Sequence, residues 1–217
     1  MAEPSYDKAL LKVFEDHAKE YDSWYFKHPA IYESEIRVLK GFDLKGLGLE
    51  IGIGTGVFAS RIDVDLGIDP NLAMLRIAKE RGVEAIRALG ECLPFVNKIF
   101  DYVLMVCTLC FLDKPSSVIK ESLRVLKNDG SLIVCVILKD SPWERLYEEK
   151  KKAGYKFYSH AKFYTIHELK KLIAEQGSSI VEVKSTLSYS PSEEERAEEP
   201  VKGYKGSFVC LRVKRND

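Results

Sequence analysis

The 217-residue chain predicts an α/β fold, a mostly parallel sheet with helices on both faces. Three observations point there. Apolar runs of strand length alternate with segments whose apolar residues recur every three or four positions, the pattern of strand–helix–strand units. The first such run leads into a turn with three glycines, Leu47 to Gly56, LGLEIGIGTG. A later run, Phe100 to Pro115, FDYVLMVCTLCFLDKP, is largely apolar and rich in β-branched residues. It reads as a strand buried on both faces, as in a sheet covered by helices on each side.

Taken in chain order, Tyr6 to His28 places Leu10, Phe14, His17, Tyr21 and Trp24 at three- and four-residue spacing, one amphipathic helix with an aromatic face. The glycine turn follows. Gly52, Gly54 and Gly56 remove the Cβ atoms that would block a ligand and let the chain turn sharply from strand to helix. A dinucleotide fingerprint would read GxGxxG; here the third glycine comes one residue early and Val57 stands in its place. Glu50, two residues before the first glycine, would meet a pyrophosphate anion to anion, and suits a cationic ligand instead. Val64, Leu66 and Ile68 alternate into a second strand ending at Asp69, an acid placed to accept both hydroxyls of a ribose. Asn71 to Arg81 reads as a helix with Leu72, Leu75 and Ala78 toward the sheet.

A short third strand, Val83 to Ala88, precedes GECLPF, Gly90 to Phe95. After the apolar fourth strand, Pro115 opens a helix running to Leu126 and closed by Asn128, Asp129 and Gly130, and Ser131 to Leu138 is the fifth strand. Ser141 to Phe163 inserts a charged helix and a loop crowded with Tyr155, Phe157, Tyr158, His160 and Phe163. Loops are usually polar, so these rings form either a cover over an apolar or flat acceptor or a satellite hydrophobic cluster. Thr165 to Glu168, TIHE, is a capping box for a helix ending near Gly177, which makes His167 a solvated first-turn residue. Ile180 to Leu187 and Gly206 to Lys214 alternate as strands, and the acidic SPSEEERAEEP between them reads as an exposed loop.

These motifs together resemble the class I S-adenosylmethionine (SAM)-dependent methyltransferases, in the small-molecule branch of the UbiE/methyltransferase type 11 group. The resemblance rests on an acidic residue followed by GxGxG, Asp69 after the second strand, the LPF stretch, and FDxVxxxxxL with its Pro-initiated helix and LKNDG. It runs from about residue 10 to the C-terminus, is specific for the cofactor and weak for the acceptor. It implies a Rossmann-like seven-stranded sheet in the order 3-2-1-4-5-7-6, with the last strand antiparallel. It also implies that Glu50, Gly52, Gly54, Gly56, Asp69, Pro70, Met74, Gly90, Glu91, Cys107 and Tyr21 bind SAM, with S-adenosylhomocysteine as product. Met74 is otherwise a core residue, and Tyr21 part of a packed aromatic stripe. Where the family has an acid for the adenine amino group this chain has Leu89, so either Glu91 or the backbone at Gly90 and Glu91 takes that contact, with Leu93 and Phe95 walling the base. Trp24, Tyr25, Cys110, Phe111, Tyr155 and Tyr158 form the acceptor pocket on this view, because open parallel sheets bind ligands beyond the carboxyl ends of their strands.

Composition fits a single domain, 1–217: an N-terminal helical cap (1–40), a SAM-binding core (41–140), an aromatic lid insertion (141–163), and a C-terminal helix and hairpin (164–217). Lys and Arg number 33 against 33 acids, so nothing forecasts a nucleic-acid or membrane partner. A small-molecule acceptor is the natural partner, with the chain a monomer or homodimer. Without a signal peptide or long apolar span, and with five cysteines mostly in apolar strands, a reducing, cytoplasmic location is expected. Cys107 and Cys110 form a CxxC without the further ligands zinc needs, so no metal is expected. They read as structural or pocket thiols, or as thiols handling a soft substrate. Methyl transfer from a sulfonium needs a base only for a protonated acceptor; His17 and His160 are the available candidates, and the catalytic residue is open. The alternatives are a SAM-binding protein without turnover and an NAD(P)-dependent oxidoreductase, the latter disfavoured by Glu50 and Val57.

Overall fold

The computed structural model describes residues 8–216; Tyr6, at the start of the first predicted helix, lies outside them. Three helices come first, α1 (Lys8–Asp16), α2 (Ala18–Lys27) and α3 (Pro29–Lys40). The predicted single N-terminal helix is thus broken. His17 leaves helical geometry (φ −127°, ψ 22°), and Pro29 ends α2 at His28 because a proline disfavours helical geometry in the residue before it. Spacing alone hides the kink, since Phe14, His17 and Tyr21 keep helical intervals across it.

The sheet is built from β1 (Gly48–Ile51), β2 (Leu66–Asp69), β3 (Ala85–Arg87), β4 (Phe100–Val106), β5 (Leu126–Ile137), β6 (Ser178–Thr186), β7 (Val201–Lys202) and β8 (Phe208–Arg215). Its order is β3-β2-β1-β4-β5-β8-β6-β7. The α/β class agrees with expectation, and the strand count is corrected from seven to eight. The added strand is a two-residue edge paired antiparallel with β6, too short to leave a pattern in the sequence. Without it the order is the expected one, with β8 antiparallel to both β5 and β6.

Alternation along the strands divides the core into two layers. Leu49, Val103, Met105, Leu132 and Val134 face one side, beneath α6 (Pro115–Val125) and α8 (Ile166–Ala174). Tyr102, Leu104, Ile133 and Phe208 face the other, beneath α2, α3, the short α4 (Ala59–Ile62), α5 (Leu72–Glu80) and α7 (Pro142–Lys152). A one-residue register slip would exchange these faces. On α5, Leu75 and Ala78 are buried as predicted, but Leu72 is 43% exposed: it stands in the first turn, beside the N-cap Asn71, and points away from the sheet.

Three further expectations change. The apolar run from Phe100 ends as a strand at Val106; Cys107 turns the chain with φ +53°, and Leu109–Phe111 form a 3₁₀ turn. Asn128 to Gly130 do not cap α6, which stops at Val125. The chain passes straight into β5 with a register shift opposite Phe100 and Tyr102, held where Lys127 Nζ donates to both Asp101 oxygens at 2.8 and 2.9 Å. Cys135 and Cys210, opposite each other on β5 and β8, form a disulfide, which revises the reading of all five cysteines as reduced; Cys92, Cys107 and Cys110 are free.

The remaining segments follow the pattern. Thr165 and Glu168 make the reciprocal capping box, and His167 is exposed. The acidic 190–200 loop is mostly exposed yet tied down: Glu198 accepts from the Ser188 amide at 2.8 Å, and its own amide donates to Ser34 Oγ at 2.9 Å. Among the described residues, no helix is long and apolar enough to cross a membrane.

Candidate active site

Two clefts open beyond the carboxyl ends of β1, β2 and β4. The first spans about 930 Å³, part of it open to solvent, and is built around the glycine turn. Gly52, Gly54, Asp69, Pro70, Met74, Gly90, Glu91, Cys107 and Tyr21 all line it. Asp69 holds the turn in shape: one carboxylate oxygen accepts from the Gly54 amide at 3.0 Å, the other from the Asn71 amide at 2.8 Å. Each oxygen keeps a lone pair for a ligand hydroxyl. Burial raises its pKa to about 6, against the lowering effect of those two amides.

The glycines divide the work. A Cβ at Gly54 would meet only Tyr21 Cε1, at 4.0 Å, so the missing side chain leaves cleft space. A Cβ at Gly56 would instead press on Ala78 and Val83 at 3.2 to 3.3 Å, and Gly56 is outside the cleft wall. Glu50 also stands behind the turn, on the layer of the sheet beneath α3. It is 1% exposed, its Oε2 has no hydrogen-bond partner, and burial, then the nearby Asp69, raises its pKa to about 8. Leu93 and Phe95, expected as walls for a base, are turned elsewhere. Leu93 is core, and Phe95 packs edge-on against Phe100 at 5.1 Å, because Arg124 on α6 clasps both their carbonyls at 2.9 to 3.0 Å. Ile68, Met74, Leu89 and Leu112 supply the apolar wall.

The cap helices roof this cleft. Asn71 Nδ2 donates to the Leu11 carbonyl at 2.9 Å, tying α1 down, and Leu10, Leu11 and Phe14 face the cleft. Arg81, at the end of α5, donates to both Asp22 oxygens at 2.9 Å and also reaches the Thr55 carbonyl, so α2 is fixed to the glycine turn. These partners are far apart in the chain.

The second cleft spans about 1160 Å³, part of it open to solvent, between α2, α3, α7 and the 153–163 segment. Trp24, Tyr25, Cys110, Phe111, Tyr155 and Tyr158 all line it. Phe157 and Phe163 of the aromatic segment line it as well, and Tyr147 of α7 adds a ring that stacks on Tyr158 with centroids 4.5 Å apart. Tyr21, Cys107 and Phe111 line both clefts, so the two are neighbours across that wall. Tyr21 and Tyr25 share a hydrogen bond at 3.0 Å, and burial holds both phenols well above their usual range. Burial also raises the thiols, Cys110 to about 12, so both are neutral; Cys110 Sγ donates to the Cys107 carbonyl at 3.1 Å. A neutral buried thiol is a poor nucleophile.

His17 and His160 line neither cleft. His17 sits at the α1–α2 break beside Lys156 Nζ at 3.1 Å, and His160 is exposed. The residue missed in the sequence is Glu35, buried in the wall of the second cleft. Its signal was present: Ile31, Glu35 and Leu39 follow one another at four-residue spacing, which puts the acid on the buried face of α3.

The lining of the first cleft decides what it can hold. Its described residues include three acids, Asp69, Glu91 and Asp113, and no Lys, Arg or His. Such a wall repels a pyrophosphate and accepts a cation. A sulfonium and an ammonium on a nucleoside carry the charge that such a wall accepts.

Comparisons with known proteins agree. A family model described as a methyltransferase domain matches residues 49–134. The chain is 37% identical over 206 residues to an uncharacterised protein of Methanocaldococcus jannaschii, covering 94% of this chain and 100% of that one. It superposes with TM-score 0.90 and 36% identity on the crystal structure of a SAM-dependent methyltransferase, possible histamine N-methyltransferase, from Thermotoga maritima, covering 95% of this chain and 100% of that one. A demethylmenaquinone methyltransferase of Tropheryma whipplei is 32% identical over 111 residues, 46% of each chain. This chain therefore belongs to the SAM-dependent methyltransferases, as an enzyme of the methyltransferase type 11 kind that uses S-adenosylmethionine.

Proposed function

We propose that the two adjoining clefts form one reaction chamber, with SAM in the first and a small-molecule acceptor in the second. The observation that carries this is the shared wall: Tyr21, Cys107 and Phe111 line both spaces, so the donor and acceptor spaces lie directly against one another. SAM, when bound, supplies an activated methyl carbon. The chain supplies position. Asp69 takes the ribose hydroxyls, the bare backbone at Gly54 admits the nucleoside, and Glu91 or the adjoining backbone meets the base. Glu50 and Gly56 act from behind, one as a buried carboxyl and the other as the packing contact that sets the turn.

Transfer by in-line displacement needs the acceptor aligned and water kept out, and such alignment is worth about 7 to 11 kcal/mol in favourable cases. The rings of the second cleft favour an acceptor with a flat or apolar body. Neither cleft contains a His among its described lining residues, so a histidine base is not part of this chamber. The direct test is incubation of the enzyme with SAM and a metabolite extract. A product heavier by one methyl, formed together with S-adenosylhomocysteine, is expected; SAM binding with no methylated product in any fraction would favour a protein that binds SAM without turnover.

A further inference from the structure

Glu35 is a carboxyl in a place that ordinarily excludes one. It occupies the middle of α3, on the same face as Ile31 and Leu39, is 5% exposed, and its Oε2 has no hydrogen-bond partner. A buried polar atom left without a partner is destabilising, the more so if charged, and an apolar residue here would avoid that cost. The groups facing it are all acids: the phenol of Tyr25 on α2, Tyr32 on its own helix, Cys107 after β4, Tyr147 on α7 and Tyr158 in the lid segment. Burial raises every one of these, so they are neutral and none supplies a counter-charge. The same burial pushes Glu35 up to about 8.

A second observation is independent of Glu35. At the mouth of the cleft, Lys150 Nζ lies 5.7, 5.8 and 5.9 Å from the ring centroids of Tyr147, Tyr155 and Tyr158. Those ring faces already hold an ammonium, as the negative face of an aromatic ring does. The other charged groups of the lining are Glu20, paired with Lys156 at 2.6 Å, and Lys27. Inside the mouth, then, lie aromatic faces and one carboxyl lacking a cation.

We propose that the acceptor is an amine, a small molecule with an apolar or aromatic body whose ammonium is held by the Glu35 carboxylate among Tyr25, Tyr147 and Tyr158. This deepens, and rests on, the assignment of the second cleft to the acceptor. Docking of an ammonium draws Glu35 into its ionised form, so the carboxyl proton passes to solvent while the ammonium keeps its own and serves as an anchor, the methyl going to an unprotonated atom elsewhere on the acceptor. With a free pKa of about 8, roughly half a proton or more is released per amine bound near pH 7.5.

The experiment is titration calorimetry on the full chain saturated with S-adenosylhomocysteine, using phenethylamine and 2-phenylethanol, which share a body and differ in the charged group. The wild type is expected to bind the amine at least about tenfold more tightly than the alcohol, with proton release seen by repeating the titration in buffers of different ionisation enthalpy. Glu35→Gln should lose that tenfold preference and the proton release, keep its affinity for S-adenosylhomocysteine, and bind the alcohol as before. Glu35→Asp should recover part of both. Equal amine binding and proton release in Glu35→Gln, or a wild type that prefers the alcohol, overturns the proposal. If the wild type takes up neither probe, the acceptor role of the second cleft falls with it. If it fails to bind S-adenosylhomocysteine, the error lies in the first cleft instead.

Discussion

Replacing Gly54 with Ala separates ligand space from packing space in the glycine turn. Gly54 has φ +55°, and an alanine there carries a left-handed backbone cost of about 1 to 2 kcal/mol. Its methyl meets nothing closer than Tyr21 Cε1 at 4.0 Å, so no packing cost is added in the protein alone. For a chain of this length, each kcal/mol lowers Tm by about 2 to 4 °C, and a fall of about 2 to 8 °C is expected. The methyl does, however, enter the first cleft, where a nucleoside would lie on the backbone. One extra carbon in a fitted site costs about 1 to 3 kcal/mol, which is a roughly 5- to 150-fold weaker SAM complex. Gly56→Ala is the control. It has a similar backbone cost (φ +70°) and adds pressure on Ala78 and Val83 at 3.2 to 3.3 Å, outside the cleft. It should lose more Tm than Gly54→Ala while the folded fraction binds SAM nearly as the wild type does. Scanning calorimetry gives the stabilities and isothermal titration the affinities. Gly54→Ala with wild-type SAM affinity, or Gly56→Ala with the larger affinity loss, would refute the division of roles.

Asp69→Ala should weaken SAM and S-adenosylhomocysteine together by about 10²-fold, two hydrogen bonds to a charged acceptor at about 1.5 kcal/mol each, because both ligands carry the ribose; unchanged affinity in titration removes Asp69 from the site. In the wild type, SAM affinity should decline as pH falls through about 6, where Asp69 takes up a proton and loses acceptor capacity. Asp22→Asn breaks the charge match with Arg81 and should speed SAM dissociation several-fold in stopped-flow, at about 1 kcal/mol for a half-buried pair. Stability of the protein without ligands should fall as pH rises from about 4.5 to 8. Glu35 and Glu50 have folded pKa values raised to about 8, so the folded state binds more protons than the unfolded state across that window. Glu35→Gln should flatten part of that slope in thermal melts, and an unchanged slope would show that Glu35 is not the group responsible.

The layered fold was readable because burial on two faces and helical spacing leave separate periods in the sequence. The glycine turn and Asp69 were readable because backbone approach and diol binding demand particular residue types at particular distances. What escaped depended on partners distant in the chain. The break at His17 keeps helical spacing on both sides. Cys135 meets Cys210 only once the register of β5 on β8 is set. Leu93 and Phe95 are as apolar as any ligand wall, and only the grip of Arg124 on their carbonyls turns them into the core. Glu35 was readable in principle, since a lone acid between Ile31 and Leu39 on a helix face asks for a partner.

Tyr21 forms part of the wall of both clefts, and its helix is riveted to the glycine turn through Arg81 and Asp22. α2 is thus a single door with two rooms behind it. A molecule that leaves either room by lifting that helix exposes its neighbour to water, and a molecule that braces the door from one side slows departure from the other. The aromatic partner of SAM would accordingly lengthen the stay of S-adenosylhomocysteine, and S-adenosylhomocysteine would tighten the hold on that partner by the same factor, as linkage requires.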